Sequence, residues 1–103
     1  MNFFDLHCDT AYKMFKENLS LYLNNLSVSG EKGSIFQNWK QTFAIWIKDN
    51  TQNPFDLYCK ILNNFKKETE NIPQNLTPIL AVEGGAVLEN DIEKLELLKT
   101  DGV

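Results

Sequence analysis

The chain has 103 residues, enough for one small domain with a modest hydrophobic core. Hydrophobic residues make up 43% of it and charged residues 23%, which is typical of a folded globular protein and argues against disorder. The formal net charge is -4 and the sequence contains no basic stripe that could follow a phosphate backbone. Nucleic acid is therefore not an expected partner.

The longest apolar runs, such as residues 43–47, are too short to cross a bilayer, so no membrane partner is expected. The N-terminus lacks the basic and apolar regions of a signal peptide. Cys8 and Cys59 are too few for a disulfide framework. Reduced thiols and a cytoplasmic location are the resulting expectation.

The first half of the chain begins with a predicted strand over residues 2–8, an apolar run interrupted by Asp5. Thr10 can then cap a helix over residues 11–23, with a buried stripe at helical spacing made of Tyr12, Phe15 and Leu19. Serines and glycines in residues 24–40 indicate a loop. Within it a short helical turn is indicated by Ile35, Phe36 and Trp39.

A second strand is predicted over residues 42–48, TFAIWIK, which is apolar on both faces like a covered parallel strand. Trp39 and Trp46 could line a substrate mouth, but for Trp46 packing under a helix is the favoured interpretation. Asn53 as the cap and Pro54 at the first helical position predict a helix start, and Asp56 adds a favourable charge to its first turn. The apolar stripe of this helix comprises Phe55, Tyr58, Leu62 and Phe65, with Leu57 and Ile61 beside it.

The third predicted strand covers residues 76–83, LTPILAVE, and is followed at once by Gly84-Gly85, which permits a tight turn. Asn90 and Glu93 have the spacing of a capping box. The helix that they would start extends to Lys99 and ends near Gly102, a favoured C-terminal cap. Its predicted buried residues are Ile92, Leu95 and Leu98.

Three strand–helix units in succession predict an α/β fold with a parallel sheet and crossover helices. A complete (β/α)8 TIM-type barrel takes roughly 250 residues, so three units are too few to close one. We expect residues 1–103 to form a single partial domain, the first three βα units of a barrel that is incomplete in this chain. Val103 stands where a fourth strand would begin, and the chain is interpreted as the N-terminal part of a larger protein.

Candidate functional side chains lie at the predicted carboxyl ends of the strands, where parallel α/β proteins gather their chemistry. His7 and Asp9 end the first strand on one face, and Glu83 ends the third. Imidazole nitrogen and carboxylate oxygen are ligands that zinc uses in hydrolytic sites, and the two oxygens of Glu83 could bridge two ions. The alternatives are a hydrogen-bonded structural His7 and a Glu83 that caps the amides of the next turn.

Two neighbours of the candidate ligands are also singled out. Asp5 is predicted to face the same side as His7, where it would orient a ligand or lie at an exposed rim. Alternation places Cys8 on the face opposite His7, so it is interpreted as a core residue and not as a nucleophile. Cys59, in an amphipathic helix, has the same structural interpretation.

The motif Asp5-Leu6-His7-Cys8-Asp9-Thr10, the strand FAIWI and the motif Val82-Glu83-Gly84-Gly85 occur in the order seen in the membrane (renal) dipeptidase family. The sequence resembles the N-terminal portion of a bacterial member over nearly its whole length. This resemblance implies a (β/α)8 barrel of the amidohydrolase type, with two Zn²⁺ ions that hydrolyse dipeptides. It implies that His7 and Asp9 bind one zinc, and that Glu83 bridges both and is catalytic through the hydroxide held between them.

The family also uses two histidine ligands from later strands, whereas His7 is the single histidine of this chain. This fragment alone is therefore expected to be inactive. Two alternatives remain: another amidohydrolase-superfamily hydrolase, acting on a different amide or a lactone, and a non-catalytic half-barrel interaction module. Self-association through the edge of the third strand is also predicted, because an unpaired strand edge can pair with another chain.

Overall fold

A computed structural model describes all of residues 1–103 and contains one parallel sheet of three strands in the order β1-β2-β3. The strands are β1 (Asn2–Asp5), β2 (Asn38–Trp46) and β3 (Leu76–Glu83). The α-helices are α1 (Thr10–Glu17), α2 (Gly30–Gly33), α3 (Pro54–Thr69) and α4 (Lys94–Asp101), and a 3₁₀ turn spans Ala86–Leu88. The predicted α/β class with parallel strands is confirmed. No helix combines the length and the apolar character needed to span a lipid bilayer.

The strand predictions differ in accuracy at their ends. The bounds of β3 are as predicted, whereas β2 begins at Asn38, before the apolar run, and ends at Trp46. The strand β1 ends at Asp5 and not at residue 8, because the regular pairing of β1 with β2 is interrupted after Asp5 pairs with Gln41. The predicted helical turn around Trp39 is wrong, since Trp39 lies in β2 and a helical turn occurs earlier, in α2.

The interruption in β1 is a bulge of one residue. Asp5 lies opposite Gln41, and the next contact is made by Cys8, whose N–H donates to Thr42 O at 3.0 Å. The N–H of Ala44 then donates to Cys8 O at 3.0 Å, so Cys8 lies opposite Phe43. The first strand therefore advances three residues where β2 advances two. Such a bulge turns the side chains that follow it to the other face of the sheet.

One face of the sheet carries the core. Phe43 and Ile45 of β2 are fully buried on this face, and the Phe43 ring packs against Phe65 of α3 at a centroid distance of 5.1 Å. The predicted stripe of α3 is confirmed at Tyr58, Leu62 and Phe65, which are buried together with Ile61. Phe55 and Leu57 are partly buried at the margin of this core.

The opposite face of the sheet is not covered by any helix. Phe4 of β1 is 55% exposed, Trp46 of β2 is 48% exposed, and Ile79 of β3 lies on the same face. The prediction that Trp46 packs under a helix is wrong, because Trp46 is on the open face, whereas its neighbours in the chain, Ile45 and Ile47, are buried on the alternate face. The sheet thus has one core face and one open face.

The first helix is shorter than predicted and buries a different stripe. Asn18 adopts a left-handed conformation (φ 53°) and its N–H donates to Met14 O, which ends α1 at Glu17. The fully buried residues of α1 are Ala11 and Met14. The predicted stripe residues pack only at the margin of the core: Tyr12, Phe15 and Leu19.

The predictions of the N-terminal caps of α3 and α4 are partly wrong. Pro54 is the first residue of α3 as predicted, but Asn53 is left-handed and makes no capping hydrogen bond. The carboxylate of Glu89 takes that role, because its Oε1 accepts from the N–H of Phe55 at 3.1 Å. The Asn90 capping box does not form, and instead Asp91 Oδ1 accepts from the N–H of Glu93 at 3.0 Å.

The last helix contributes little to the core. It starts at Lys94 and ends, as predicted, before Gly102, which is left-handed with φ 100°. Leu98 is its one buried residue, whereas Ile92 and Leu95 are 71% and 45% exposed, contrary to prediction. A hydrogen bond of 3.0 Å from Tyr58 Oη to Asp101 Oδ2 ties this helix to α3.

Candidate metal-binding site

His7 reaches the carboxyl edge of the sheet because of the bulge in β1. Since Cys8 lies opposite Phe43 on the core face, His7 before it faces the open side. Asp9 follows as the N-cap residue of α1, but its carboxylate makes no capping hydrogen bond. That carboxylate is consequently free to face the imidazole, and His7 Nε2 lies 3.2 Å from Asp9 Oδ1.

Glu83 is the last residue of β3 and lies opposite Trp46, on the open face of the sheet. The chain then turns sharply at Gly84, whose φ of +81° is costly for any residue with a side chain. The carboxylate oxygen Oε2 of Glu83 lies 3.9 Å from His7 Nε2. The alternative of a Glu83 that caps the following turn is not what the geometry shows, because its carboxylate forms no hydrogen bond there.

The three side chains come together as a compact group. One ligand atom from each of His7, Asp9 and Glu83 lies within 4.8 Å of the other two. Their side chains are 52%, 63% and 56% exposed, so the group opens to solvent at the edge of the sheet. Two carboxylates held at this separation repel one another, and a bound cation would offset that repulsion.

The donor set fits a divalent cation. One imidazole nitrogen and two carboxylates are ligands that zinc accepts, and at metal–ligand distances of about 2.0 Å tetrahedral ligand atoms are about 3.3 Å apart. The 3.2 Å and 3.9 Å separations from His7 Nε2 to Asp9 and Glu83 are close to that value. Three protein ligands would leave coordination positions of a bound ion open toward solvent.

An open cleft of about 510 Å³ lies beside two of the three residues, His7 and Asp9, and Glu83 does not line it. Besides His7 and Asp9, it is bordered by Lys13 of α1, its one cationic residue, and by the loop of residues 25–28. A cleft of this volume is in the range of small-molecule sites. Sequence patterns predicted a loop here but did not place it at the cleft, because no binding motif marks it and only the chain reversal after α1 brings it there.

Asp5 and Cys8 face the core side of the sheet, whereas His7 and Glu83 face the open side. The register places Asp5 opposite Gln41, on the core side, so the prediction that it faces the same side as His7 is wrong. The physical reason is the bulge, which reverses alternation between Asp5 and His7. Cys8 lies on the face opposite His7, as predicted, and burial raises the pKa of its thiol. A thiol in that state is a poor nucleophile and a poor ligand.

Gln41 is the structural residue next to the site that sequence patterns did not identify. It is 1% exposed, although it comes just before the run TFAIWIK. A polar residue on the buried face of a strand needs a polar partner, which is the signal that could have linked Gln41 with Asp5.

No profile of a known protein family matches the chain, and no curated protein matches it either.

Proposed function

We propose that this chain forms part of a metal-dependent hydrolase of the dipeptidase type, with zinc as the metal. The observation that carries the proposal is the convergence of His7, Asp9 and Glu83, with ligand atoms within 4.8 Å of one another. These residues come from the ends of two strands that are not adjacent in the sheet. Enzymes built on parallel sheets place their catalytic groups at the carboxyl ends of the strands.

Each residue has a distinct role in the proposal. His7 would supply a nitrogen ligand through Nε2, and Asp9 would supply a carboxylate oxygen beside it. Glu83 has two oxygens and would serve two ions, which makes it the bridging and catalytic residue of the proposed site. Bound zinc supplies Lewis acidity toward a peptide carbonyl and lowers the pKa of a coordinated water. A dipeptide is the proposed substrate, and the cleft beside His7 is the space in which it would lie.

We further propose that the three βα units are a sector of a (β/α)8 barrel. The strands are parallel, and both β1 and β3 have a free edge. The open face carries apolar side chains that a barrel interior would bury, including Phe4, Trp46 and Ile79. Further units would contribute the nitrogen ligands that this chain, with one histidine, does not supply.

The test is zinc binding and hydrolysis by this chain and by the protein that includes any residues its gene encodes after Val103. We expect this chain to bind zinc without turnover, and the longer protein to bind two zinc ions and cleave dipeptides, including those with a D-residue at the C-terminal position. Lack of zinc binding at His7 and Asp9 in the longer protein would refute the metal site. Zinc binding with turnover of lactones or other amides but not dipeptides would favour a different amidohydrolase.

A non-catalytic half-barrel is the second candidate, and the open apolar face favours it. Such a face is usually covered, either by the same chain or by a partner. Light scattering after size-exclusion chromatography distinguishes the cases: a stable dimer that binds no zinc supports the interaction module. A monomer that binds zinc supports the hydrolase.

A further inference from the structure

The side-chain amide of Gln41 connects both ends of the bulge that contains His7. Its Nε2 donates to Asp5 Oδ2 at 2.7 Å, and Asp5 is the last regularly paired residue of β1. The same Nε2 lies 3.3 Å from the carbonyl oxygen of Thr42. That carbonyl also accepts the N–H of Cys8 at 3.0 Å, the first backbone contact after the bulge. One amide group thus contacts Asp5, which comes before Leu6 and His7, and the carbonyl that binds the N–H of Cys8, which comes after them.

Gln41 is itself held in one orientation. The indole N–H of Trp39 donates to Gln41 Oε1 at 3.1 Å, and Trp39 is 3% exposed. This bond identifies Oε1 as the acceptor, which leaves Nε2 as the donor toward Asp5 and Thr42. A buried amide with all these partners is costly to rearrange, since any shift would leave a polar atom without a hydrogen bond.

The bulge decides where His7 points. A displacement of one residue in strand pairing moves a side chain to the opposite face of a sheet. If the first strand continued from Asp5 without the extra residue, His7 would lie opposite Phe43 and face the core, away from Glu83. The contacts of Gln41 favour the bulge, because one holds Asp5 opposite Gln41 and the other is at the carbonyl of Thr42 that accepts the N–H of Cys8.

We propose that Gln41 is a positioning residue of the metal site: it fixes the bulge that directs His7 toward Asp9 and Glu83. This inference rests on the proposed function for its metal-binding consequence, but the position of His7 can be measured without metal. Gln41 contacts none of the three ligands, and its action is through the backbone of residues 5–8.

The experiment compares variants of the 103-residue chain. Gln41→Leu replaces the amide with an apolar group of similar size. Asp5→Ala removes only the hydrogen bond from Gln41 to β1. Asp5→Asn removes the same charge but keeps an oxygen that can accept from Gln41. Tyr58→Phe is the matched control, because it deletes a hydrogen bond of 3.0 Å to Asp101 that is unconnected with the bulge.

Two measurements are made on each variant. The first is the nuclear Overhauser effect between the His7 ring and the Glu83 side chain without metal, which is unambiguous because the chain has one histidine. The second is the affinity for Zn²⁺ by calorimetry. We expect Gln41→Leu and Asp5→Ala to lose the His7–Glu83 signal and to bind zinc about 10- to 100-fold more weakly, the usual loss for a group that orients a ligand. Asp5→Asn and Tyr58→Phe should retain both.

The inference is overturned if Gln41→Leu keeps the His7–Glu83 signal, or if Tyr58→Phe loses as much zinc affinity as Gln41→Leu. It is also overturned if Asp5→Ala and Asp5→Asn behave alike, since charge alone would then explain the loss. If Gln41→Leu does not fold, the two Asp5 variants decide the question. If the unmodified chain binds no zinc, the proposed function fails for this chain, and the metal-free signal still decides whether Gln41 positions His7.

Discussion

His7 Nε2 lies 3.9 Å from Glu83 Oε2, although His7 follows one outer strand of the sheet and Glu83 ends the other. Trp46 ends the central strand and lies opposite Glu83. The bulge in β1 turns His7 to the open face that Glu83 shares. The contact therefore depends on the register of both strand pairs, and the predictions below test what that register supports.

Substitution of His7 or of Glu83 should abolish tight zinc binding. In His7→Ala or Glu83→Gln, one of three ligand groups is lost, and the affinity should fall by more than the ~10- to 100-fold typical of an outer-shell partner. Isothermal titration calorimetry with Zn²⁺ measures it. Glu96→Gln is the control, because Glu96 is an exposed carboxylate of α4 outside the group. Equal affinities in Glu83→Gln and Glu96→Gln would contradict the assignment.

Zinc should stabilise the fold through the same residues. At a free concentration 100 times the dissociation constant, a ligand that binds only the native state raises the free energy of unfolding by about 2.7 kcal/mol. Urea denaturation with and without zinc measures this change, and a chelator should reverse it. His7→Ala should show no gain. A similar gain in that variant would mean that zinc binds elsewhere.

Gly33 should not tolerate a side chain. A Cβ atom there would lie 2.0 Å from Cζ3 of Trp39, whose ring is buried and held by its hydrogen bond to Gln41. Gly33→Ala should therefore lower the free energy of unfolding by about 1–3 kcal/mol. Gly85→Ala is the matched control, because a Cβ there meets nothing within 4 Å and the change should stay within about 0.5 kcal/mol. Equal urea midpoints for the two variants would refute the clash.

The contacts of the Glu89 carboxylate with Lys94 and with the N–H of Phe55 should make the thermal stability of the fold depend on pH in the acid range. The hydrogen bond from Lys94 Nζ, and then that from the N–H of Phe55, holds the pKa of Glu89 below its ordinary value. A lowered carboxyl pKa contributes stability that is present above the unfolded pKa and is lost as pH falls through the folded one. The melting temperature of Glu89→Gln should be below that of the unmodified chain at about pH 7, and the difference should disappear at about pH 2.

The effect at Glu89 should be small and sensitive to salt, because the ion pair with Lys94 is at the surface. Lys60→Gln serves as a control, since it breaks the surface pair of Lys60 with Asp56 without touching Glu89. If the difference in melting temperature between Glu89→Gln and the unmodified chain persisted unchanged in acid, the contribution of Glu89 would not depend on its charge.

Both thiols should react slowly in the folded protein. Burial raises the pKa of Cys8 and, by the same cause, that of Cys59, so less thiolate is present at about pH 8 than in a free cysteine. Alkylation by iodoacetamide, followed by mass spectrometry on single-cysteine variants, measures each rate. Unfolding in urea should raise both rates. Rapid labelling of Cys8 in the native chain would show that it is not protected as the structure indicates.

The local sequence was sufficient where the pattern and the tertiary contacts coincide. The bounds of β3, the start of α3 at Pro54 and the end of α4 at Gly102 follow from apolar runs and from the backbone preferences of proline and glycine. The three candidate ligands also followed from sequence, because parallel strands bring their carboxyl ends to one edge.

The predictions that failed depend on contacts between distant residues. Asn53 has the right type for a cap, but Glu89 reaches the same N–H from the connection after β3. Trp46 was expected under a helix, yet its face of the sheet has no covering element. An amphipathic pattern gives the spacing of apolar residues but does not say which surface another element will cover.

The sequence by itself determined the class of fold, the order of its elements and the residue types available to bind a metal. Tertiary structure decided which of them face one another. Alternation in a strand has a period of two, so the single extra residue between Asp5 and Cys8 reverses it, and no local pattern marks that residue. Its location depends on hydrogen bonds to Gln41 and Thr42 of the neighbouring strand, which form only when the sheet has assembled.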